Sequence, residues 1–97
     1  MRIVGRSHLV AFCSKHADAR KWMEQWLAEV EQAVWTAPRD ISVRYASASF
    51  LANNAVIFNV KGNTYRLEVR VAYKSSVVVI LWIGTHAEYD QRNRNRD

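Results

Sequence analysis

The amino-acid sequence predicts an α+β fold, a small antiparallel β-sheet with two N-terminal helices packed on one face. Two patterns support this prediction. Apolar residues recur every three or four positions across residues 19–34, the spacing of an amphipathic helix. Apolar and polar residues alternate across residues 65–72, the spacing of a half-buried strand. The expected order of elements is β-α-α-β-β-β, with a short helix at the end.

The N-terminal half is expected to supply one strand and both helices. Residues 1–4 are suited to an edge strand, and Ser7 is suited to cap a first helix that runs to about Ser14. The second helix is expected to end before Ala37-Pro38, because the residue before a proline avoids the helical region. Its apolar positions are Trp22, Met23, Trp26, Leu27, Val30, Ala33 and Val34.

Two features of this half have alternative interpretations. Trp22 and Trp26 are suited to stack on nucleobases, but their place on the apolar stripe favours the core. Ile41, Val43 and Tyr45 alternate as in a strand, whereas the following residues 46–49 are typical of a loop or a helical turn.

The C-terminal half predicts three strands and the final helix. Residues 55–60 and 65–72 are joined by a hairpin in which Gly62 supplies a positive φ angle. Residues 77–83 are apolar on both faces, which is typical of a central strand covered on both sides. The segment from Thr85 to Glu88 matches a capping box and begins the last helix.

Length and composition predict one domain over residues 1–91, followed by a basic tail over residues 92–97. The single cysteine, Cys13, excludes an intramolecular disulfide and favours the cytoplasm. Neither a signal peptide nor an apolar run long enough to cross a membrane is expected. The net charge of +5 favours a polyanionic partner, although ordinary solubility also explains it.

Titratable residues cluster directly after the last predicted strand. His86 falls in the first turn of the last helix, where the helix dipole favours the neutral imidazole. Tyr89 and Asp90 follow on the same helix. A lone histidine at such a position is commonly structural, so the cluster by itself indicates a function without establishing one.

Two arginines on the neighbouring strand add to this cluster. Arg66 and Arg70 lie on one predicted face, and guanidinium groups bind phosphate oxygens in bidentate fashion. The same residues, with Glu68 between them, also fit a solvated ladder of charges. Further candidate contacts to RNA are Lys61, Asn63, Lys74 and Asp90.

These residue types suit metal-independent RNA cleavage, in which the 2′-hydroxyl attacks its own phosphate. His86 is suited to act as base or acid, and Arg66 is suited to hold the phosphate. Tyr89, whose ordinary pKa is about 10, is suited to orient or to stack. No cofactor or metal is expected, since His8, Cys13 and His16 lack a fourth zinc ligand.

Two runs of the sequence, Phe58 to Leu67 and Ile83 to Asp90, resemble the HigB family of type II toxins. That family belongs to the RelE-like superfamily of ribosome-dependent mRNA interferases. The resemblance covers nearly the whole chain and implies a RelE-like fold. It assigns the phosphate-binding arginine to Arg66, and the histidine and tyrosine after the last strand to His86 and Tyr89.

The resemblance also implies an activity and partners. It indicates an endoribonuclease that cuts translated mRNA on the ribosome and is neutralised by a HigA-type antitoxin with a helix-turn-helix domain. Operator DNA would be reached only through that antitoxin. Two positions that are often basic in the family are Leu81 and Ala55 here. The alternative is therefore a catalytically degenerate toxin-like module that binds an antitoxin or RNA without cleavage.

Overall fold

The computed structural model describes residues 1–94, and the side chains of residues 1–92. Five strands form one sheet: Arg2–Val4 (β1), Ser49–Phe50 (β2), Ala55–Val60 (β3), Tyr65–Ala72 (β4) and Val77–Thr85 (β5). Their order across the sheet is β1-β5-β4-β3-β2. The described residues also form four α-helices: Arg6–Lys15 (α1), Arg20–Gln32 (α2), Pro38–Ser42 (α3) and His86–Arg94 (α4). The fold is α+β, as the sequence predicts.

The antiparallel prediction is confirmed for β3, β4 and β5. The short strand β2, which was not predicted, pairs antiparallel with β3, whereas β1 runs parallel to β5. A parallel neighbour needs a long crossover, and here α1, α2 and three further strands separate the two in the sequence. β1 pairs with β5 only from Val77 to Val79. Beyond Val79, no described strand covers the outer edge of β5, so this strand is central only at its start.

The core lies between one face of the sheet and the first two helices. Leu9 and Cys13 come from α1, and Met23, Trp26 and Val30 come from α2. They pack with the inward-facing side chains of β3, β4 and β5: Val56, Phe58, Val60, Tyr65, Leu67, Val69, Val71, Val78 and Ile80. The opposite face of β4 therefore carries Arg66, Glu68 and Arg70, as its period of two predicts.

The helix ends differ from the sequence predictions. α1 begins at Arg6, and the left-handed Gly5 takes the N-cap position that Ser7 was expected to occupy. α2 ends at Gln32, because Ala33 adopts an extended conformation with φ −75° and ψ 151°. Val34, which was predicted as an apolar position of this helix, therefore lies beyond its end and is 78% exposed.

The segment with two interpretations forms a short helix, α3, and not a strand. Pro38 occupies the first turn, where its missing N–H group breaks no hydrogen bond of the helix. The Asp40 carboxylate accepts hydrogen bonds from the Thr36 and Ala37 N–H groups at 2.7 and 3.2 Å. The apparent alternation reflects one turn of helix, in which Ile41 is buried and Val43 is exposed.

The expected basic tail begins inside α4. This helix extends to Arg94, and Arg92 packs on the outer face of the sheet. Arg92 is therefore part of the folded domain, while residues 95–97 lie outside the described residues.

Candidate active site on the outer face of the sheet

A capping box determines where α4 begins, as predicted. The Glu88 carboxylate accepts a hydrogen bond from the Thr85 N–H at 2.8 Å, and the Thr85 hydroxyl accepts one from the Glu88 N–H at 3.1 Å. Hydrogen bonding by Thr85, first through its backbone N–H, lowers the pKa of the Glu88 carboxyl. The His86 N–H donates to the Thr64 carbonyl at 3.3 Å, which ties the helix to the β3–β4 hairpin. α4 is thereby directed across the outer face of β4 and β5.

Arg66 of β4 contacts Tyr89, which lies on α4. The guanidinium carbon of Arg66 lies 5.4 Å from the centroid of the Tyr89 ring, within cation–π distance. The Arg66 side chain is half-buried, and its Nε is buried without a hydrogen-bond partner. Among the described residues, no carboxylate pairs with Arg66, in contrast to Arg6, Arg44 and Arg92. The charge of Arg66 is thus not balanced by a carboxylate of the described residues.

His86 is oriented by the next turn of the same helix. Its Nδ1 lies 3.2 Å from the Asp90 carboxylate, and 38% of the His86 side chain is exposed. When Nδ1 carries the proton toward Asp90, Nε2 is left as a hydrogen-bond acceptor and therefore as a base. Asp90 thus has a geometric role toward His86, in addition to its predicted place among the RNA contacts.

A buried ion pair that the sequence analysis missed holds α4 on the sheet. Arg92 donates to Glu68, whose side chain is only 5% exposed. The Arg92 guanidinium also lies 5.2 Å from the Trp82 ring centroid, and that ring lies 5.9 Å from the Tyr89 ring. Glu68, Arg92 and Trp82 therefore set the position of Tyr89 relative to Arg66.

Asn59 is a second residue that the sequence analysis missed. It is the direct cross-strand neighbour of Arg66, so the two side chains point from the same face of the sheet. Its Oδ1 is buried without a hydrogen-bond partner. On the other side of Arg66 the neighbour is Gly84, where an added Cβ would lie 2.6 Å from the Trp82 ring. Asn59, Arg66 and Gly84 are thus cross-strand neighbours on β3, β4 and β5. The Asn59 amide is next to Arg66 on one side, and the Trp82 ring covers Gly84 on the other.

The remaining predicted RNA contacts are divided between the two ends of the sheet. Lys61 and Asn63 lie in the exposed hairpin next to the start of α4, but Lys61 pairs with Asp18 at 3.2 Å. Arg70 is exposed and donates to the Asn53 carbonyl at 3.2 Å. Lys74 lies in the turn after β4, about 20 Å or more of extended strand away from Arg66. The structure thus brings Lys61 and Asn63 near the cluster and separates Lys74 from it.

Two other kinds of feature are absent from the described residues. No group of three or more His, Cys, Asp or Glu side chains within them is arranged to hold a metal ion. No helix within the same part of the chain is long and apolar enough to cross a membrane. Burial raises the pKa of the Cys13 thiol, which leaves it poorly suited to act as a nucleophile.

A family model identifies the family to which the chain belongs. The model of the HigB toxin, described as the RelE-like toxic component of a toxin–antitoxin system, matches residues 19–92. The chain belongs to this family. The matched region includes α2, α3, the strands β2 to β5 and α4 as far as Arg92. No curated protein sequence matches the chain. Membership makes this protein a toxin of a toxin–antitoxin system, whose partner is an antitoxin.

Proposed function

We propose that this HigB-family toxin is a ribosome-dependent mRNA endoribonuclease that inhibits translation and growth. The observation that supports the proposal most directly is Arg66. Its half-buried guanidinium has no carboxylate partner among the described residues, and it lies against Tyr89 beside the helix that begins at His86. A guanidinium held in this way is suited to grip a phosphate and to stabilise the charge that develops there during cleavage.

The reaction needs no group beyond the RNA and side chains of this kind. A base removes the 2′-hydroxyl proton, the O2′–P bond forms, and the P–O5′ bond breaks as an acid protonates the leaving oxygen. The products are a 2′,3′-cyclic phosphate and a 5′-hydroxyl. His86, through Nε2, is suited to either proton transfer. Arg66 would hold the phosphate, and Tyr89 would orient it or stack on a base.

The partners follow from the same proposal. The substrate is translated mRNA on the ribosome, and the net charge of +5 favours such a polyanion. The inhibitor is a HigA-type antitoxin, and operator DNA is reached only through it. Because translation takes place in the cytoplasm, the proposed activity lies there as well.

A second candidate is a catalytically degenerate module that binds its antitoxin or RNA without cleavage. Two observations favour it. The family's often-basic positions are Leu81 and Ala55, and the nearby Lys61 is engaged by Asp18. Fewer unpaired cations at the site would weaken the hold on RNA.

Induced expression of wild type, Arg66→Ala and His86→Ala, followed by primer extension on a translated mRNA, separates the two candidates. We expect cuts within the reading frame from wild type, and a loss of about 10²–10³-fold for each variant. Arg39→Ala and His8→Ala are matched controls, because both side chains are exposed and lie outside the cluster. Cleavage that survives both site substitutions would reject this site. A wild type that cuts nothing yet binds its antitoxin would favour the degenerate module.

A further inference from the structure

A pocket distinct from the Arg66 cluster opens beside the free edge of β3. β2 pairs with β3 only at Val56 and Ile57, so no described strand covers the last part of β3 on that side. Residues 45–48 lie there instead, and the Ser47 carbonyl accepts a hydrogen bond from the Asn59 amide at 3.4 Å. Between this loop, α2 and Gly62 lies a cavity of about 390 Å³. That volume is large enough for a planar heterocyclic base.

Aromatic rings and an arginine line this pocket. Trp22 of α2 and Tyr45 of the loop are both half-buried and both line the cavity. The Arg44 guanidinium lies 4.9 Å from the centroid of the Tyr45 ring. Ring faces and arginine planes are the surfaces on which single-stranded nucleic acids stack their bases. Trp26, in contrast, is 1% exposed and belongs to the core, so the structure separates the two tryptophans.

Glu29 fixes the positions of Tyr45 and Arg44 in the lining of the pocket, and its own charge is compensated. Its carboxylate accepts hydrogen bonds from the Tyr45 hydroxyl and from Arg44, the latter at 2.5 Å. These interactions, that of Tyr45 first, lower the pKa of the Glu29 carboxyl. Burial and this hydrogen bond raise the pKa of Tyr45, so the phenol stays protonated as the donor. Because Arg44 neutralises Glu29, the pocket does not present an uncompensated negative charge at this part of its lining.

Asn59 connects the pocket to the candidate active site. It lines the cavity and is also the cross-strand neighbour of Arg66. Adjacent strands are about 4.8 Å apart, so Asn59 lies roughly one strand spacing from Arg66, and the pocket extends beyond Asn59 at the edge of the sheet. At this border the Asn59 Oδ1 and the Trp26 Nε1 are both buried without a hydrogen-bond partner among the described residues. Both atoms are inaccessible to solvent, so the pocket offers its ring surfaces to a ligand and not these two atoms.

We propose that this pocket receives a nucleobase of the RNA strand whose phosphate is held at Arg66. The base would belong to a nucleotide near the cleaved bond and would stack on Trp22 and Tyr45. This inference rests on the proposed RNA cleavage. An extended peptide that adds to the edge of β3 would pair through its backbone and would leave the Trp22 and Tyr45 rings unused, so it accounts for less of the pocket.

The test uses a short single-stranded RNA with deoxyribose at the cleavage position mapped by primer extension, so that it binds without being cut. 2-Aminopurine is placed at successive positions on either side, and its emission falls when it stacks on an aromatic ring. With the full-length protein, on free RNA and on the ribosome, we expect quenching at one position. Trp22→Leu should abolish it and weaken binding about tenfold or more.

Matched variants separate stacking from folding. Trp22→Phe keeps a ring and is expected to retain most of the affinity, while Tyr45→Leu removes the second ring of the lining and should also relieve the quenching. Circular dichroism and thermal melting identify any variant that has failed to fold. Arg66→Ala should lower binding yet leave the quenched position unchanged at saturating RNA.

Two results would overturn the pocket, and a third would retain the pocket but reject the enzyme. Equal emission at every position, with wild-type affinity for Trp22→Leu, would overturn the pocket and leave cleavage at Arg66 intact. A Trp22→Leu protein that binds RNA normally but loses its antitoxin would also overturn it, making the pocket a protein contact. If the protein cuts no ribose-containing mRNA, the 2-aminopurine is placed in turn at every position of the RNA, and Trp22-dependent quenching there would retain the pocket and reject the enzyme.

Discussion

Arg92 is expected to be the side chain that keeps α4 on the sheet. It pairs with Glu68, whose side chain is 5% exposed, and it covers Trp82, which in turn contacts Tyr89. Arg92→Ala removes the cation, leaves a carboxylate in a desolvated position and uncovers one face of an indole. The change lies away from the capping box, so the start of α4 at His86 is not altered directly.

The magnitude follows from the burial of the pair. Removing one partner of a buried ion pair costs about 3–5 kcal/mol. Here the cost should be lower, because Glu68 has another interaction and the Arg92 side chain is 30% exposed. A loss of about 2 kcal/mol is therefore expected, close to the value of a hydrogen bond to a charged group. For a domain of this size, that corresponds to a fall in Tm of about 8–16 °C.

The assay is urea and thermal unfolding followed by circular dichroism, and Arg6→Ala is the matched control. Arg6 pairs with Glu31 at the surface, where both side chains are 45% exposed, so this loss should be only about 0.2–1 kcal/mol. Arg92→Ala should also lower RNA cleavage, because Tyr89 loses its support over Arg66. An Arg92→Ala protein no less stable than Arg6→Ala would refute this account of how α4 is held.

Two further predictions concern the glycine under Trp82 and the response to acid. Gly84→Ala places a Cβ 2.6 Å from the Trp82 ring and should cost about 1–3 kcal/mol in urea unfolding while displacing Tyr89; unchanged stability and cleavage would contradict this packing. The Thr36 and Ala37 N–H groups lower the pKa of Asp40 in the folded state from its ordinary 3.8. The stability from this carboxylate is therefore fully present above pH 3.8 and is lost as the pH falls through the lower folded pKa. Thermal melts of Asp40→Asn should consequently decline less steeply in acid than those of wild type, and parallel declines would argue against this role.

Much of the fold could be predicted because its signals are local. The apolar spacing of α2, the alternation of β4 and the capping box of α4 each depend on residues a few positions apart in the chain. Gly62 is in the left-handed region with φ 69°, as its hairpin requires. Where two local signals competed, in residues 41–45, the strand pattern was misleading, because Asp40 capped a helix.

The candidate site was predicted in part. The residue types and strand faces indicated Arg66, His86 and Tyr89. Asn59 was missed although a signal existed: a hairpin turn over residues 61–64 pairs Val60 with Tyr65, and therefore Asn59 with Arg66. Glu68 was considered only as a member of a charge ladder on its own strand, since its true partner lies 24 positions away. The roles of all these residues in RNA cleavage stay predictions.

The sequence by itself determined the helix α2, the strands β3, β4 and β5, the start of α4 and which face of β4 is polar. Those properties follow from side-chain periodicity and short-range hydrogen bonds. Only the tertiary structure decided that β1 lies parallel to β5, that Arg92 folds back onto Glu68 and that Trp22 faces a pocket while Trp26 is buried. These outcomes depend on where distant segments pack, because burial and ion pairing are settled among residues that the chain order keeps apart.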